Sequence, residues 1–307
     1  MFLTLTLIIA VVIFIVNMFS GGGSPRTLRE IFYGVYYAED AVMSDEDEPN
    51  SVRSVEKCIR AGVGIKTEAY ISKDSKIMIS ASAKAGPDEL VIGETDSRVL
   101  SELGLMNITE FIEKVDGRVP VIIELKTGAN NEVMCRRTAD AILASGHKNI
   151  AVASFRPGII SWFKGKAKPI FRGLIAAPSK DFVSLSAYDR FMTANLANNS
   201  VARPQFVLYR NKKETFLAKF AMSLGLIKGV WTIKSEAEGK EYEQTKDMIV
   251  FRGFTPRQGQ FKILPAREQT KMEIEAEKKE RARLERRRLR RQYKAERQAE
   301  KERKKNK

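Results

Sequence analysis

The chain has 307 residues, of which 43% are hydrophobic and 30% are charged, and its formal net charge is +15. Its two cysteines, Cys58 and Cys135, exclude a disulfide framework and show no metal-ligand spacing, which is compatible with a reducing compartment. The length permits two domains, but an α/β barrel uses about 200 to 250 residues as one unit. We therefore predict one large domain with an appendage at each end.

The chain begins with an apolar segment. Residues 1–18 contain no charged side chain, and as a helix they would span about 27 Å, close to the thickness of a bilayer's hydrocarbon layer. A cleaved signal peptide is the alternative, but the basic start of such a peptide is missing and the apolar run is too long. We predict a transmembrane anchor over residues 1–19 and a flexible linker over residues 20–29. Arg26 and Arg29 favour a single-pass membrane protein with the rest of the chain in the cytoplasm.

Residues 30–256 alternate short apolar runs with amphipathic stretches, a pattern typical of repeated strand–helix units around a parallel sheet. The second and third candidate strands are separated only by residues 72–75, too few for a parallel crossover, so one of them is predicted to be a hairpin arm. A helix is predicted over residues 51–61, and Asn107 and Ser235 are predicted N-caps. The candidate strands are 30–37, 64–71, 76–82, 119–126, 149–154, 170–175, 204–209, 228–234 and 247–252.

An acidic run follows the first candidate strand. Residues 39–48 contain six carboxylates in ten positions. Such a run can bind a metal ion, but a solvated, mobile loop is the more common structure for it. We therefore predict a loop here.

Residues 257–307 are predicted to form a basic, charged helical tail. From Arg267 onward, 18 Lys and Arg residues oppose 9 Glu residues. Pairs of opposite charge four positions apart, such as Glu277 and Arg281, support a largely solvated helix. Its most basic part could bind anionic lipid headgroups or RNA phosphates, or could serve only to keep the chain soluble. The side chains predicted to contact an anionic surface are Arg281, Arg283, Arg286, Arg287, Arg288, Arg290, Arg291 and Lys294.

Five short motifs occur in a fixed order between residues 30 and 256. They are Pro49-Asn50-Ser51, Ser72-Lys73-Asp74, Glu124-Leu125-Lys126, Ala153-Ser154-Phe155 and Trp231-Thr232-Ile233. In this order they resemble strand-end and helix-start motifs of the glycerophosphodiester phosphodiesterase family. The resemblance implies a TIM-type (β/α)8 barrel, here with an N-terminal transmembrane helix and a C-terminal charged helix.

The catalytic motifs of that family are mostly missing. The resemblance implies two histidines as general acid and base, and three carboxylates that hold a divalent cation. The one histidine of this chain, His147, matches neither position. The segment that we align with the end of the family's first strand, residues 31–35, offers Tyr33 and no base.

The metal-binding motifs are changed as well. Lys66 aligns with the first metal carboxylate of the family and Glu68 with the second. Glu124 is unchanged at a ligand position, and Lys126 matches the lysine that the family places beside the phosphate. We predict that Lys66 and Glu124 form an ion pair in place of the metal, because an unpaired inward lysine is costly. No cofactor is therefore expected; the alternative is a Ca²⁺ or Mg²⁺ ion held by Glu68 and Glu124.

Ligands of such a barrel bind where the C-terminal ends of its strands meet. For Tyr33 and Trp231, packing in the core or at the rim is the alternative to contact with a ligand. The residues predicted to converge at this mouth are Tyr33, Lys66, Glu68, Glu124, Lys126 and Trp231.

The resemblance and its departures together imply a membrane-anchored, catalytically inactive protein that binds a phosphate-bearing ligand or a protein partner. One alternative is an active diesterase that hydrolyses glycerophosphodiesters with altered catalytic residues. A second alternative is a protein that acts through its tail by binding RNA or an anionic membrane.

Overall fold

The polypeptide from Val35 to Phe251 passes repeatedly from a strand to a helix. The computed structural model describes residues 2–182 and 185–264. The strands are β1 (Val35–Glu39), β2 (Gly64–Ile71), β3 (Ile77–Ile79), β4 (Lys84–Ala85), β5 (Leu90–Val91), β6 (Val121–Leu125), β7 (Ile150–Ser154), β8 (Phe171–Ala176), β9 (Phe206–Arg210), β10 (Ile227–Ile233) and β11 (Met248–Phe251). The helices are α1 (Phe2–Phe19), α2 (Arg26–Phe32), α3 (Val52–Arg60), α4 (Ser97–Glu102), α5 (Ile108–Val115), α6 (Asn131–Ser145), α7 (Pro157–Lys166), α8 (Ala187–Ala194), α9 (Asn199–Ala202), α10 (Phe216–Ser223) and α11 (Glu236–Glu243).

Eight of these strands form a closed parallel barrel. In the sheet, β1, β11, β10, β9, β8, β7, β6 and β2 are successive neighbours, and β1 also pairs with β2, which closes the ring. Strand β3 pairs with β2 in the antiparallel sense, so it is the predicted hairpin arm. The predicted TIM-type barrel is therefore confirmed.

The lower end of the barrel, where the strands begin, is closed by aromatic packing. Helix α2 precedes β1 and brings the buried Phe32 ring against Phe171, with 4.7 Å between ring centroids. Phe171 in turn stacks on Phe206 at 5.2 Å. Gly173 makes room for this stack, because a Cβ atom on it would lie 2.3 Å from the Phe206 ring. The first predicted strand, 30–37, therefore began five residues too early, since residues 26–32 are helical.

The helices cover the outside of the barrel and start at the predicted caps. The Asn107 side chain accepts backbone hydrogen bonds at the start of α5 in a complete capping box, and the Ser235 side chain caps α11. Ser51, the first residue of the predicted helix 51–61, is the N-cap of α3, and the helix itself begins at Val52. Cys58 and Cys135 are both buried between the helices and the sheet.

The N-terminal segment is attached to the barrel by its end. Most side chains of α1 between Leu5 and Val16 are exposed, whereas Phe19 is buried against Phe220, 5.7 Å between ring centroids. Within residues 2–182 and 185–264, no helix is long and apolar enough to cross a membrane, so the predicted transmembrane helix is not supported. The predicted flexible linker is hydrogen-bonded to the barrel, since the Gly22 N–H donates to the carbonyl oxygen of Pro204 at 2.7 Å.

The described chain returns to the barrel after β11. The Phe261 N–H donates to the Gly34 carbonyl oxygen at 2.7 Å, and the compact unit extends to Leu264 rather than to residue 256. The basic cluster predicted between Arg281 and Lys294 lies outside the described residues.

Candidate functional site

Three glutamates point into the barrel at its upper end, which we call the mouth. Side chains alternate between the interior and the helix layer along each strand. Because Val35 and Tyr37 of β1 face the interior, Glu39 at the end of the same strand faces it too. Glu68 of β2 lies beside Glu124 of β6 in register, and Lys66, one layer deeper in β2, lies beside Glu39.

Two lysines are enclosed by these glutamates in what we call the ion-pair network: Glu39, Lys66, Glu68, Glu124 and Lys126. The Lys66 Nζ atom lies 2.7 Å from Glu124 Oε2, 3.3 Å from Glu39 Oε1 and 3.5 Å from Glu68 Oε1. The Lys126 Nζ atom lies 2.7 Å from Glu124 Oε1 and 2.9 Å from Glu68 Oε1. The Lys66 side chain is only 2% exposed, against 28% for Lys126. The predicted ion pair between Lys66 and Glu124 is therefore present.

The two remaining carboxylate oxygens have hydroxyl donors. Thr232 Oγ1 donates to Glu39 Oε2 at 2.8 Å, and the Tyr70 hydroxyl donates to Glu68 Oε2 at 2.7 Å. Each of the six oxygens of the three glutamates thus has a partner within the protein. Burial raises the Tyr70 pKa, and the hydrogen bond to Glu68 raises it further, so this hydroxyl stays protonated.

The charges of the network stabilise one another. Burial alone would lower the pKa of Lys66, but the carboxylates of Glu124, Glu39 and Glu68 raise it well above its ordinary value. Burial alone would raise the pKa of Glu124, but the ammonium groups of Lys66 and Lys126 lower it. Both lysines are therefore charged, and Glu124 is ionised at neutral pH.

These residues do not fit a divalent cation. Such an ion would need the carboxylate oxygens that the Lys66 and Lys126 ammonium groups contact, and it would be repelled by both groups. Across the part of the chain that the structure describes, no group of three or more His, Cys, Asp or Glu side chains is arranged to hold a metal ion. The cationic centre of the mouth is the Lys66 side chain itself.

A buried carboxylate lies next to the network. Asp40, the residue after β1, is 4% exposed; its Oδ2 accepts from an Arg252 guanidinium nitrogen at 3.1 Å, and Asn50 lies near its other oxygen. Burial raises the pKa of Asp40 to about 7, because the favourable charges of Lys66 and Arg252 offset only part of the loss of hydration. The predicted acidic loop is thus partly built into the barrel.

A second group of mouth residues, which shares Lys126 with the ion-pair network, is aromatic and cationic. Phe155 at the end of β7 and Trp231 in β10 contact each other edge to face, 5.7 Å between ring centroids. Lys126 Nζ lies 6.0 Å from the centre of the Phe155 ring, and the Arg210 guanidinium carbon lies 5.7 Å from that of Trp231. We call Lys126, Phe155, Trp231 and Arg210 the mouth arc. All four side chains are partly or fully accessible to solvent.

The structure brings five of the six predicted residues to the mouth: Lys66, Glu68, Glu124, Lys126 and Trp231. The position predicted for Tyr33 is wrong. Tyr33 follows the last residue of α2 and precedes β1, so it lies at the lower end of the barrel, where Lys262 Nζ is 5.1 Å from its ring centre. The mistake follows from aligning residues 31–35 with the end of the family's first strand, whereas the first strand of this barrel ends at Glu39. His147 precedes β7 and also lies at the lower end, 3.6 Å from an Asp116 oxygen.

Four residues at the mouth were not predicted as site residues: Glu39, Asp40, Arg210 and Arg252. Glu39 occupies the end of the first barrel strand, the place for which the resemblance implies a His-Arg-Gly motif. The sequence contains a signal for Glu39 as a site residue, because the apolar run Val35–Ala38 ends directly at this glutamate. We assigned that glutamate to the acidic loop instead.

Comparisons with solved structures agree on the fold. The chain is similar to a putative glycerophosphoryl diester phosphodiesterase from Agrobacterium tumefaciens, with a TM-score of 0.59, 11% identity, and coverage of 72% of this chain and 94% of the other. It is also similar to a glycerophosphodiester phosphodiesterase from Thermotoga maritima (TM-score 0.52, 19% identity, 71% and 93% covered). A third similar structure is a phosphodiesterase from Oleispira antarctica in complex with the product sn-glycerol-3-phosphate (TM-score 0.55, 15% identity, 73% and 94% covered).

No protein-family model matches the sequence, and no curated protein matches it. The resemblance to glycerophosphodiester phosphodiesterases is confirmed as a likeness of fold: these enzymes share the barrel that this chain forms.

Proposed function

We propose that this protein is a non-catalytic relative of the glycerophosphodiester phosphodiesterases that binds a phosphate-bearing ligand at its barrel mouth without cleaving it. The observation that carries this proposal is the ion-pair network. Each oxygen of Glu39, Glu68 and Glu124 is already bonded within the protein, and the Lys66 ammonium occupies the space among them.

Diester cleavage needs groups that this mouth lacks. A cation that polarises the phosphoryl oxygen, a general base and a general acid supply most of the rate of such hydrolases. Lys66 cannot act as a base, since its raised pKa keeps it protonated, and Glu124 is held by two ammonium groups. Among the described mouth residues there is no imidazole, because the single histidine lies at the other end of the barrel.

The mouth arc supports ligand binding. Lys126 and Arg210 are cations on the accessible side, and the Phe155 and Trp231 rings between them offer flat apolar surfaces. A phosphate would contact the cations, and the organic groups of a diester would lie against the rings. A protein partner with an anionic side chain is the other form of ligand that this arc would accept.

The test is incubation of the full chain with glycerophosphocholine and Ca²⁺, Mg²⁺ or Mn²⁺, with the Oleispira antarctica phosphodiesterase as positive control. We expect no release of sn-glycerol-3-phosphate above buffer. Turnover on the order of 1 per second or faster would contradict the proposal and favour the alternative, an active hydrolase with altered residues.

Binding is measured separately, by calorimetric titration with glycerophosphocholine. Arg210→Gln should weaken the binding, because it removes one of the two cations of the mouth arc. Asp181, which contacts Arg210, keeps Lys212 as a partner in this variant. Arg98→Gln, which changes a 90% exposed arginine on α4, is the matched control and should have no effect. Equal loss in both variants would contradict binding at the mouth arc.

The membrane location and the binding of RNA or anionic lipid by the C-terminal residues stay predictions.

A further inference from the structure

A cluster of exposed aromatic side chains lies on the rim of the barrel mouth, outside the site described above. Tyr188 and Phe191 of α8 are 69% and 51% exposed, and Phe216, the first residue of α10, is 83% exposed. Phe216 is the most exposed large apolar side chain among residues 4–182 and 185–264. Apolar groups that are exposed together on one part of a surface mark a candidate site of contact with a protein or a membrane.

The two helices follow neighbouring strands of the barrel, β8 and β9. Helix α8 follows β8 and helix α10 follows β9, so both chains leave the mouth at this side. The Tyr209 hydroxyl near the end of β9 donates to the carbonyl oxygen of Ala194, the last residue of α8, at 3.2 Å. Asp181, before α8, contacts Arg210 at 3.1 Å and Lys212 at 2.8 Å, both before α10. The aromatic groups therefore belong to one rim.

The charge around these rings is positive. Residues 178–194 and 210–220 contain six Lys and Arg residues and three Asp and Glu residues. Two of the three acidic side chains already have cationic partners: Asp181 is paired as above, and Glu214 contacts Lys246. Lys180, Lys213 and Lys219 are exposed, and none of them pairs with a carboxylate of the described residues. The rim thus presents aromatic rings among unpaired ammonium groups.

We infer that this rim, defined by Tyr188, Phe191, Lys213, Phe216 and Lys219, docks on the surface of an anionic lipid bilayer. Aromatic side chains are favoured at the level of lipid headgroups, where one part of the ring is apolar and its edge is polar. Lysines beside them are attracted by anionic headgroups and can extend their charge to the interface while the stem stays apolar. The rings lie on two separate helices and protrude, which suits a broad, soft surface.

Docking in this way would turn the barrel mouth toward the headgroups. The rim surrounds the side of the mouth to which Arg210 and Trp231 of the mouth arc belong. The inference goes beyond the proposed function, and it does not depend on ligand binding at the arc, since a rim can dock on a membrane whatever the barrel binds.

The test needs a probe at a known position, because α1 also exposes apolar side chains and would contribute to bulk vesicle binding. Phe216→Trp places such a probe on the rim of the full chain. Leu143→Trp is the control: Leu143 is 50% exposed near the end of α6, at the lower end of the barrel. Both variants are mixed with vesicles of phosphatidylcholine with or without 30% phosphatidylserine, including brominated lipid as a quencher.

The unmodified chain, which already contains Trp162 and Trp231, gives the background emission. We expect Phe216→Trp to show a blue shift and quenching by brominated lipid beyond that background in phosphatidylserine vesicles, and Leu143→Trp to respond no more than the unmodified chain. Lys213→Glu combined with Lys219→Glu in the Phe216→Trp background should weaken the response about tenfold or more. The inference is overturned if Phe216→Trp is not quenched, or if it is quenched equally without phosphatidylserine. A blue shift without vesicles that grows with protein concentration would also overturn it, because the rim would then contact a second copy of the chain.

Discussion

The two ends of the barrel interior are closed by opposite kinds of interaction. At the lower end, the rings of Phe32, Phe171 and Phe206 stack at 4.7 and 5.2 Å. At the mouth, Lys66 is enclosed by three glutamates at 2.7 to 3.5 Å. Removing part of a packed apolar side chain lowers the free energy of unfolding only by the contacts that it made. A buried charge that loses its partner is left without either water or a counter-ion, which costs more. The mouth is therefore the more fragile end.

The largest effect is expected for Lys66→Met. This substitution keeps much of the side-chain volume but leaves Glu39, Glu68 and Glu124 without the ammonium that neutralises them. We expect a loss of about 3 to 5 kcal/mol in the free energy of unfolding, measured by urea denaturation at pH 7.5. Lys126→Met, at a side chain that is 28% exposed, is the matched control and should cost clearly less.

The same variant tests what the ammonium replaces. Without the Lys66 ammonium, three glutamates converge on a centre that lacks its buried positive charge, so Ca²⁺ should raise the melting temperature of Lys66→Met and leave the unmodified chain unchanged. If Ca²⁺ stabilises both proteins equally, Lys66 does not occupy a cation's place. If Lys66→Met is as stable as the unmodified chain, the ion-pair network contributes little and the contrast between the two ends fails.

The network also shows what sequence could and could not predict. The pairing of Lys66 with Glu124 was predicted because both residues align with metal-ligand positions of the glycerophosphodiester phosphodiesterase family and because an unpaired inward lysine is costly. The strand pattern predicted a parallel sheet and the β2–β3 hairpin, and the resemblance of the short motifs implied the barrel. These predictions depend on local patterns, and local patterns survive in a divergent sequence.

The failures concern interactions that are not local. Tyr33 was assigned to the mouth because residues 31–35 were aligned with the end of the family's first strand. The packing of Phe32 on Phe171 instead ends a helix that closes the lower end. Arg210 and Arg252 join the mouth from strands whose ends have no distinctive motif. Their positions depend on barrel closure, which no stretch of sequence encodes by itself.

The next largest effect is expected from the titration of Asp40. The pKa of this carboxyl is raised to about 7 in the folded protein from its ordinary value of 3.8. A raised carboxyl pKa means that the folded state binds the proton more tightly, so the stability from this group is present below about pH 4 and is lost as pH rises through 7. We expect the free energy of unfolding to fall by on the order of 2 kcal/mol between pH 5 and 8.

Asp40→Asn should abolish most of that fall, since the amide has no proton to lose. Asp189→Asn, at an exposed carboxylate on α8, is the control and should keep the slope of the unmodified chain. A slope that persists in Asp40→Asn would show that another group near the mouth, rather than Asp40, titrates in this range. Lys66, Glu39, Glu68 and Arg252 are the charges that act on Asp40.

The smallest effect is expected at the lower end. Phe171→Leu removes one ring from the middle of the aromatic stack but keeps an apolar side chain of similar size, so we expect a loss of about 1 to 2 kcal/mol from the two ring contacts and a small cavity. This loss should be the same at pH 5 and pH 8, because the aromatic cluster at the lower end contains no group that titrates in that range. Phe163→Leu, which changes a buried ring in the helix layer, is the control for the general cost of losing a phenylalanine. If instead the effect of Phe171→Leu depended on pH in the way that Asp40 predicts, the stack and the ion-pair network would be coupled through the barrel, and its two ends could not be treated as independent closures.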